Sequence, residues 1–243
     1  MVPWLRAVCV SLLVAAPAFA HDEATLDTHN RTPGAHLELL EVPPSGSSGG
    51  PRFSLRATGI ASRGPFEVWT QDFGNVFRRV ASGLRVDDLG KVVQAAAASP
   101  SGQALLPGPV ALGPGPYPRG AAWTVALVAT DRSTRVFASA IPRPIVGRNR
   151  SCMVELELVS PLGDRFVATG TGFPPGRRVT AEVRSPDRVV EKQQRASTSG
   201  RLPLNVLFHR ADDPSRRARY VVKCDECEVA IEYEWGAAAL SRN

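Results

Sequence analysis

Hydrophobic and polar positions alternate along most of this chain with a period of two, the spacing required by a β-strand with one covered face. The last such stretch is the clearest. Cys227, Val229, Ile231, Tyr233 and Trp235 fall on one side, and Glu228, Ala230, Glu232 and Glu234 on the other. Residues 152–159 read the same way, with Cys152, Val154, Leu156 and Leu158 opposite Glu155 and Glu157. Further strand-like stretches at 37–43, 53–58, 66–70, 166–169 and 179–183 are divided by clusters of Gly, Pro, Asp and Ser, the residues that punctuate strands. Helical periodicity is nearly absent, so the expected class is all-β.

The two halves repeat one order of features. In the first, 37–43 is followed by 53–58, then Gly59, then the alternating 66–70; in the second, 154–159 is followed by 166–169, a glycine-rich run and the alternating 179–183. Each half then carries a polar turn ending in glycine, Asp87-Asp88-Leu89-Gly90 and Ser197-Thr198-Ser199-Gly200. A duplicated β unit accounts for this order, and two sandwiches of about seven strands each fit the length. The expected layout is a signal peptide at 1–20, a loose polar segment at 21–34, a first sandwich at 35–141, a linker at 142–148, a second sandwich at 149–237 and a tail at 238–243. Pro142 and Pro144 mark the linker because proline denies a donor to any ladder. The Pro/Gly-rich stretch at 99–120 reads as a long mobile loop whose one aromatic residue is Tyr117.

The run Gly170-Thr171-Gly172-Phe173-Pro174-Pro175-Gly176, followed by alternating residues, resembles the immunoglobulin-like repeats of secreted bacterial proteins. With Cys152 opening the unit and Cys227 leading into Tyr233-Glu234-Trp235-Gly236, residues 142–238 are similar to a group of small exported bacterial proteins without an agreed activity. The resemblance implies an Ig-like β-sandwich in the second half and supplies no catalytic residues; the internal repeat extends the expectation to two tandem Ig-like β-sandwich domains. The first half departs from the motif, because Gly59-Ile60-Ala61-Ser62-Arg63-Gly64 lacks the phenylalanine and the proline pair.

The amino-terminal twenty residues give the expected address. Arg6, an apolar run over 8–16 and Ala18-Phe19-Ala20 have the form of a cleaved secretory signal. The run is shorter than the ~20 apolar residues of a membrane span, and no second stretch approaches that length. An exported protein, periplasmic or extracellular and without a membrane span, is the expectation. Cleavage after Ala20 leaves 28 basic against 23 acidic side chains, a net of +5. The basic residues are scattered in short groups such as Arg78-Arg79, Arg177-Arg178 and Arg216-Arg217, without the concentrated stripe that nucleic acid requires.

Cys9 falls within the signal, leaving Cys152, Cys224 and Cys227 for an oxidising compartment: one disulfide and one spare thiol. Cys224-Asp225-Glu226-Cys227 has redox Cys-x-x-Cys spacing, but such motifs begin a helix, whereas this one joins two strands. Residues flanking a two-residue hairpin loop form a hydrogen-bonded pair with Cα atoms ~5.5 Å apart, a poorer disulfide site than the closer, non-hydrogen-bonded kind. Cys152 and Cys227 both begin strands on the apolar row, so they are expected to pair across first and last strands running side by side in parallel. Closing a loop of ~75 residues contributes on the order of 4 kcal/mol. Zinc at the Cys-x-x-Cys would have to recruit Cys152 and His209.

No catalytic constellation stands out: the sequence offers no Gly-x-Ser-x-Gly elbow between a strand and a helix, no His-Glu-x-x-His and no phosphate-cradling glycine loop before a helix, so a non-enzyme without a cofactor is expected. Cleavage would make His21 the first residue, offering amine and imidazole to one copper ion, with His29 or His36 as a second imidazole. Trp123 opens an apolar strand and reads as core. Trp69 lies on the opposite face from Phe66 and Val68 and reads as a surface platform for a sugar. Asp87-Asp88 and Asp212-Asp213 read as turns. The functional expectation is a non-catalytic binding or structural protein of the bacterial envelope, its ligand an envelope protein or glycan met through Arg63, Trp69, Tyr117 and Arg119. A copper protein led by His21 and a surface-layer or appendage subunit are the alternatives.

Overall fold

A computed structural model describes residues 23–24, 26–43, 50–61, 64–94, 109–185, 188–209 and 216–241. The chain is all-β. Its first half runs through β1 (Glu23–Ala24), β2 (His36–Val42), β3 (Arg52–Thr58), β4 (Phe66–Gln71), β5 (Phe77–Val86), β6 (Val92–Gln94), β7 (Ala111–Leu112), β8 (Trp123–Ala129) and β9 (Arg135–Ala140). The second half continues with β10 (Ile145–Asn149), β11 (Cys152–Leu158), β12 (Arg165–Thr171), β13 (Arg178–Ser185), β14 (Arg188–Arg195), β15 (Asn205–Phe208), β16 (Arg217–Lys223) and β17 (Glu228–Glu234), and a 3-10 turn follows at Gly236–Ala238.

These strands make four sheets, β1-β5-β4-β8-β9 with β6 against β5, β2-β3-β7, β10-β11-β12-β15 and β14-β13-β16-β17. Every strand pairing is antiparallel. Both halves connect their strands in one order. A hairpin (β2-β3, β11-β12) crosses to a second hairpin (β4-β5, β13-β14). The chain then returns to pair with the first sheet (β7, β15) and crosses again to a third hairpin (β8-β9, β16-β17). The polar turns match as well. Asp87 Oδ1 accepts from the Lys91 N–H at 2.8 Å, and Ser197 Oγ accepts from the Arg201 N–H at 3.0 Å. Gly172, at φ +74°, could not be replaced without cost, because a Cβ there would run into the Ser151 carbonyl. Gly59, at φ +67°, stands in the same relation to the Gly34 carbonyl.

The alternation seen in the sequence becomes burial. Cys152, Val154, Leu156 and Leu158 of β11 are buried and face Tyr220, Val222, Ile231 and Tyr233 of the opposing sheet in one hydrophobic cluster. That cluster continues through the first half, from Ala35 to Trp123 and Val136. At the junction, Ala121 bridges in parallel to Leu158. Gly120 accepts from the Leu158 N–H at 2.9 Å and donates to the Arg143 carbonyl at 2.8 Å. Among the described residues no helix is long and apolar enough to cross a membrane.

Three segments depart from the expected layout. The polar stretch 21–34 is docked where it is described: β1 pairs with β5, and Thr32 exchanges hydrogen bonds with Arg135 at 2.9 and 2.8 Å. Leu26 packs on a second apolar cluster of Trp69, Phe77, Ala126, Val128 and Phe137. That patch draws the segment in, because its exposure would forfeit roughly 25 cal/mol per Å² of apolar surface. The expected linker 142–148 contains most of β10, which pairs with β11; both prolines precede the strand and so remove no donor from its ladder. The expected loop 99–120 is described from 109 onward, and there β7 pairs with β3 and Tyr117 is buried, donating to the Ala122 carbonyl at 3.0 Å.

All three tyrosines of the chain, Tyr117, Tyr220 and Tyr233, are buried. Burial pushes the phenols of Tyr117 and Tyr220 up to about 12, reinforced at Tyr117 by the charge of Asp72 and opposed at Tyr220 by a hydrogen bond from Asn205; Tyr233 is raised further, by burial and then by Tyr220. A raised folded pKa means that the folded state holds the proton more tightly. The associated stability is therefore whole below the unfolded value near 10 and is lost as pH climbs toward 12. In a spectrophotometric titration no tyrosine is expected to ionise with a midpoint near 10 while the fold persists. One phenolate appearing there with an unchanged circular dichroism spectrum would contradict the burial of these side chains.

Candidate functional site: an arginine-lined cleft

A cavity of ≈ 590 Å³ opens where the two halves meet, lined by the guanidinium-bearing Arg119, Arg143, Arg184, Arg217 and Arg219 together with Glu232, Glu234, Ser185 and Ser241. Strand geometry explains the convergence. On β16 the outward positions are Arg217 and Arg219, with Ala218 and Tyr220 turned into the core. Register sets Arg219 beside Arg184 of β13 on one side and Glu232 of β17 on the other, and sets Arg217 beside Glu234. Arg119 arrives from the turn before Gly120 and Arg143 from the segment leading into β10, both placed by the hydrogen bonds of the junction.

The charges are held unequally. Arg184 is forked onto both carboxylate oxygens of Glu182, whose side chain is buried, a bidentate arrangement that fixes the guanidinium plane. Arg143 donates to the Tyr117 carbonyl at 3.5 Å. The Arg217–Glu234 pair, 3.5 Å apart, is largely exposed and contributes at most ~1 kcal/mol, so an incoming anion can displace it. Five guanidiniums against three carboxylates, Glu232 and Glu234 in the lining and Glu182 held by Arg184, leave a surplus of positive charge. Guanidinium stays charged at any physiological pH and offers only donors. The cleft is therefore equipped to hold an anion.

Of the binding residues expected from sequence, Arg119 lies at the cleft and is exposed. Trp69 is not a surface platform. It is 2% exposed, because β4 is an inner strand between β5 and β8 with an apolar cluster on each face. Tyr117 is likewise core. Arg63 and His21 lie outside the described residues. His29 sits exposed in a turn and His36 exposed at the start of β2. Among the described residues, the one group of three His, Cys, Asp or Glu side chains close enough to share a metal is Cys152, Cys224 and Cys227; the expected copper site of His21 with His29 or His36 includes a residue outside the described ones. His209 is enclosed by aromatic rings, stacked on Trp235 and hydrogen-bonded to the Tyr233 hydroxyl at 2.8 Å.

The structure joins Cys152 to Cys227, Cα atoms 6.5 Å apart. The two residues do not sit on parallel neighbours in one sheet, as expected from sequence. β11 and β17 belong to opposite sheets, and the bridge staples the sandwich through its core. Arg143, Arg184, Arg217 and Arg219 were not singled out by sequence reasoning. The usable signal was the outward pair Arg217 and Arg219 at alternate positions of a strand, both opposite glutamates.

No family model matches the chain, and no curated protein matches its sequence.

Proposed function

We propose that this is an exported, non-catalytic binding protein of the bacterial envelope, built from two tandem Ig-like units, whose ligand is an anionic envelope glycan seated in the arginine-lined cleft. The observation that carries the reading is the convergence of five guanidiniums from four separate segments on one cavity. A volume of ≈ 590 Å³ is in the usual range of ligand sites and suits a short stretch of a polymer. The shared strand order of the halves supports duplication, and the signal-like amino terminus supports export.

The test is calorimetric titration with a carboxylated probe, oligogalacturonate, beside a neutral oligosaccharide of equal length. Binding of the carboxylated probe is expected to weaken as salt is raised and to fall about tenfold in each of Arg219→Ala and Arg119→Ala, the loss of one charge-assisted contact. Equal binding of the neutral sugar, or unchanged affinity in both variants, would sink the proposal.

A further inference from the structure

At the tip of the β16–β17 hairpin the disulfide has a third sulfur against it. Cys224 Sγ lies 3.4 Å from Cys227 Sγ, and the sulfurs of Cys152, Cys224 and Cys227 all fall within 4.8 Å of one another. Cys152 and Cys227 are 2% and 7% exposed, whereas Cys224 is half-buried. Cys224 and Cys227 flank a two-residue turn, with the Cys224 N–H donating to the Cys227 carbonyl at 2.9 Å, one step beyond the last register pair, Lys223 with Glu228. A thiol in contact with a disulfide is within reach of exchange after rotation about its own Cα–Cβ bond, and the two bridged sulfurs themselves are screened from solvent.

We propose that these three cysteines form a thiol–disulfide exchange site in which Cys224 is the port through which the buried bridge is made and opened. In the making direction a small-molecule disulfide, such as oxidised glutathione, first oxidises the hairpin pair. The Cys224 and Cys227 thiols lose two protons and two electrons to form one S–S bond, and the oxidant is reduced to two thiols. Closing a loop between cysteines three residues apart costs less chain entropy than closing one of 75, so this bond forms first. The Cys152 thiolate then attacks Cys227 Sγ. The Cys152–Cys227 bond forms, the Cys224–Cys227 bond breaks, and its electron pair leaves on the Cys224 sulfur as a thiolate. This second step is electron-neutral. It runs to the observed bridge because a hydrogen-bonded hairpin pair suits a disulfide less well than the inter-sheet site. In the opening direction the same exchange brings the bond to the turn, where an external thiol can reach it.

The reduced exported protein, cleaved of the segment that carries Cys9, is oxidised with oxidised glutathione, quenched by alkylation at intervals, and mapped by mass spectrometry of non-reduced digests. The Cys224–Cys227 link is expected to rise first and decay as Cys152–Cys227 grows. Cys152→Ser should stop at the hairpin link, and Cys224→Ser should form the final bridge at least about tenfold more slowly. A second measurement uses the native, oxidised protein. Its bridge should open in dithiothreitol about tenfold faster with Cys224 free than with Cys224 alkylated, the fold of the alkylated form being checked by circular dichroism. The proposal is overturned if Cys224→Ser bridges at the wild-type rate, if Cys152→Ser leaves Cys224 and Cys227 unlinked, or if alkylation leaves the opening rate unchanged.

Discussion

Replacing Trp69 with alanine is expected to cost about 3–5 kcal/mol, the range for truncating a buried large aromatic side chain. The side chain is 2% exposed, packed with Phe77, Ala126, Val128 and Phe137. Its indole Nε1–H donates to Glu67 Oε2 at 3.1 Å. Above the ring stand the guanidiniums of Arg132 and Arg79, 5.4 and 6.0 Å from its centroid, and both reach Glu67, at 3.7 and 2.8 Å. Loss of the indole thus opens a cavity and also removes a donor from a carboxylate that is itself 7% exposed, which adds a desolvation cost. At ~2–4 °C per kcal/mol for a chain of this size, the melting temperature should fall by roughly 6–20 °C. Trp69→Phe, which keeps most of the volume and loses the N–H, should recover more than half of that fall. A melting temperature unchanged in Trp69→Ala would place the ring at the surface, contrary to the structure.

Trp69 also marks where period-two reasoning stops working. Strands with water on one face, such as β11 and β17, show their inner rows directly, and the structure buries Val229, Ile231 and Tyr233 as the alternation implied. β4 and β8 have no wet face: Phe66, Glu67, Val68 and Trp69 are all buried, as are Val125, Ala126, Leu127 and Val128. A residue opposite the apolar row of such a strand is covered by a second cluster that local sequence does not announce, and here the cover includes Leu26 from a segment that reads as polar. Prolines misled for a related reason. Pro142 and Pro144 forbid a ladder only at their own positions, and β10 begins one residue later. The arginine cleft was the least legible feature, since Arg119, Arg143, Arg184 and Arg219 are brought together only by the register of β13, β16 and β17 and by the junction at Gly120. Cysteine pairing was readable from which side chains share the apolar row, but the sheet to which each strand belongs was not.

Reducing the disulfide in a Cys224→Ser background, which leaves Cys152 and Cys227 as the bridged pair and removes internal exchange, is expected to cost on the order of 4 kcal/mol for a loop of this length. The bridge joins strands from facing sheets, β11 and β17, and its residues are 2% and 7% exposed, so reduction also releases the register of the core beneath it. Thermal unfolding should therefore shift down by roughly 8–16 °C between oxidised and reduced samples of one sequence. Whether that shift involves the whole chain depends on the junction. The hydrophobic cluster passes without a break from Trp123 and Ala121 to Ile145, Leu158 and Trp235, and the Gly120–Leu158 hydrogen bond continues the backbone network across it. Loss of the second half would uncover Ala121, which is fully buried and bridges to Leu158. A single transition is therefore expected to move as a unit when followed by tryptophan fluorescence, with Trp69 and Trp123 reporting alongside Trp235. Two transitions, of which reduction shifts only the one seen by Trp235, would instead show that the halves unfold independently and that the shared core contributes little to their cooperativity.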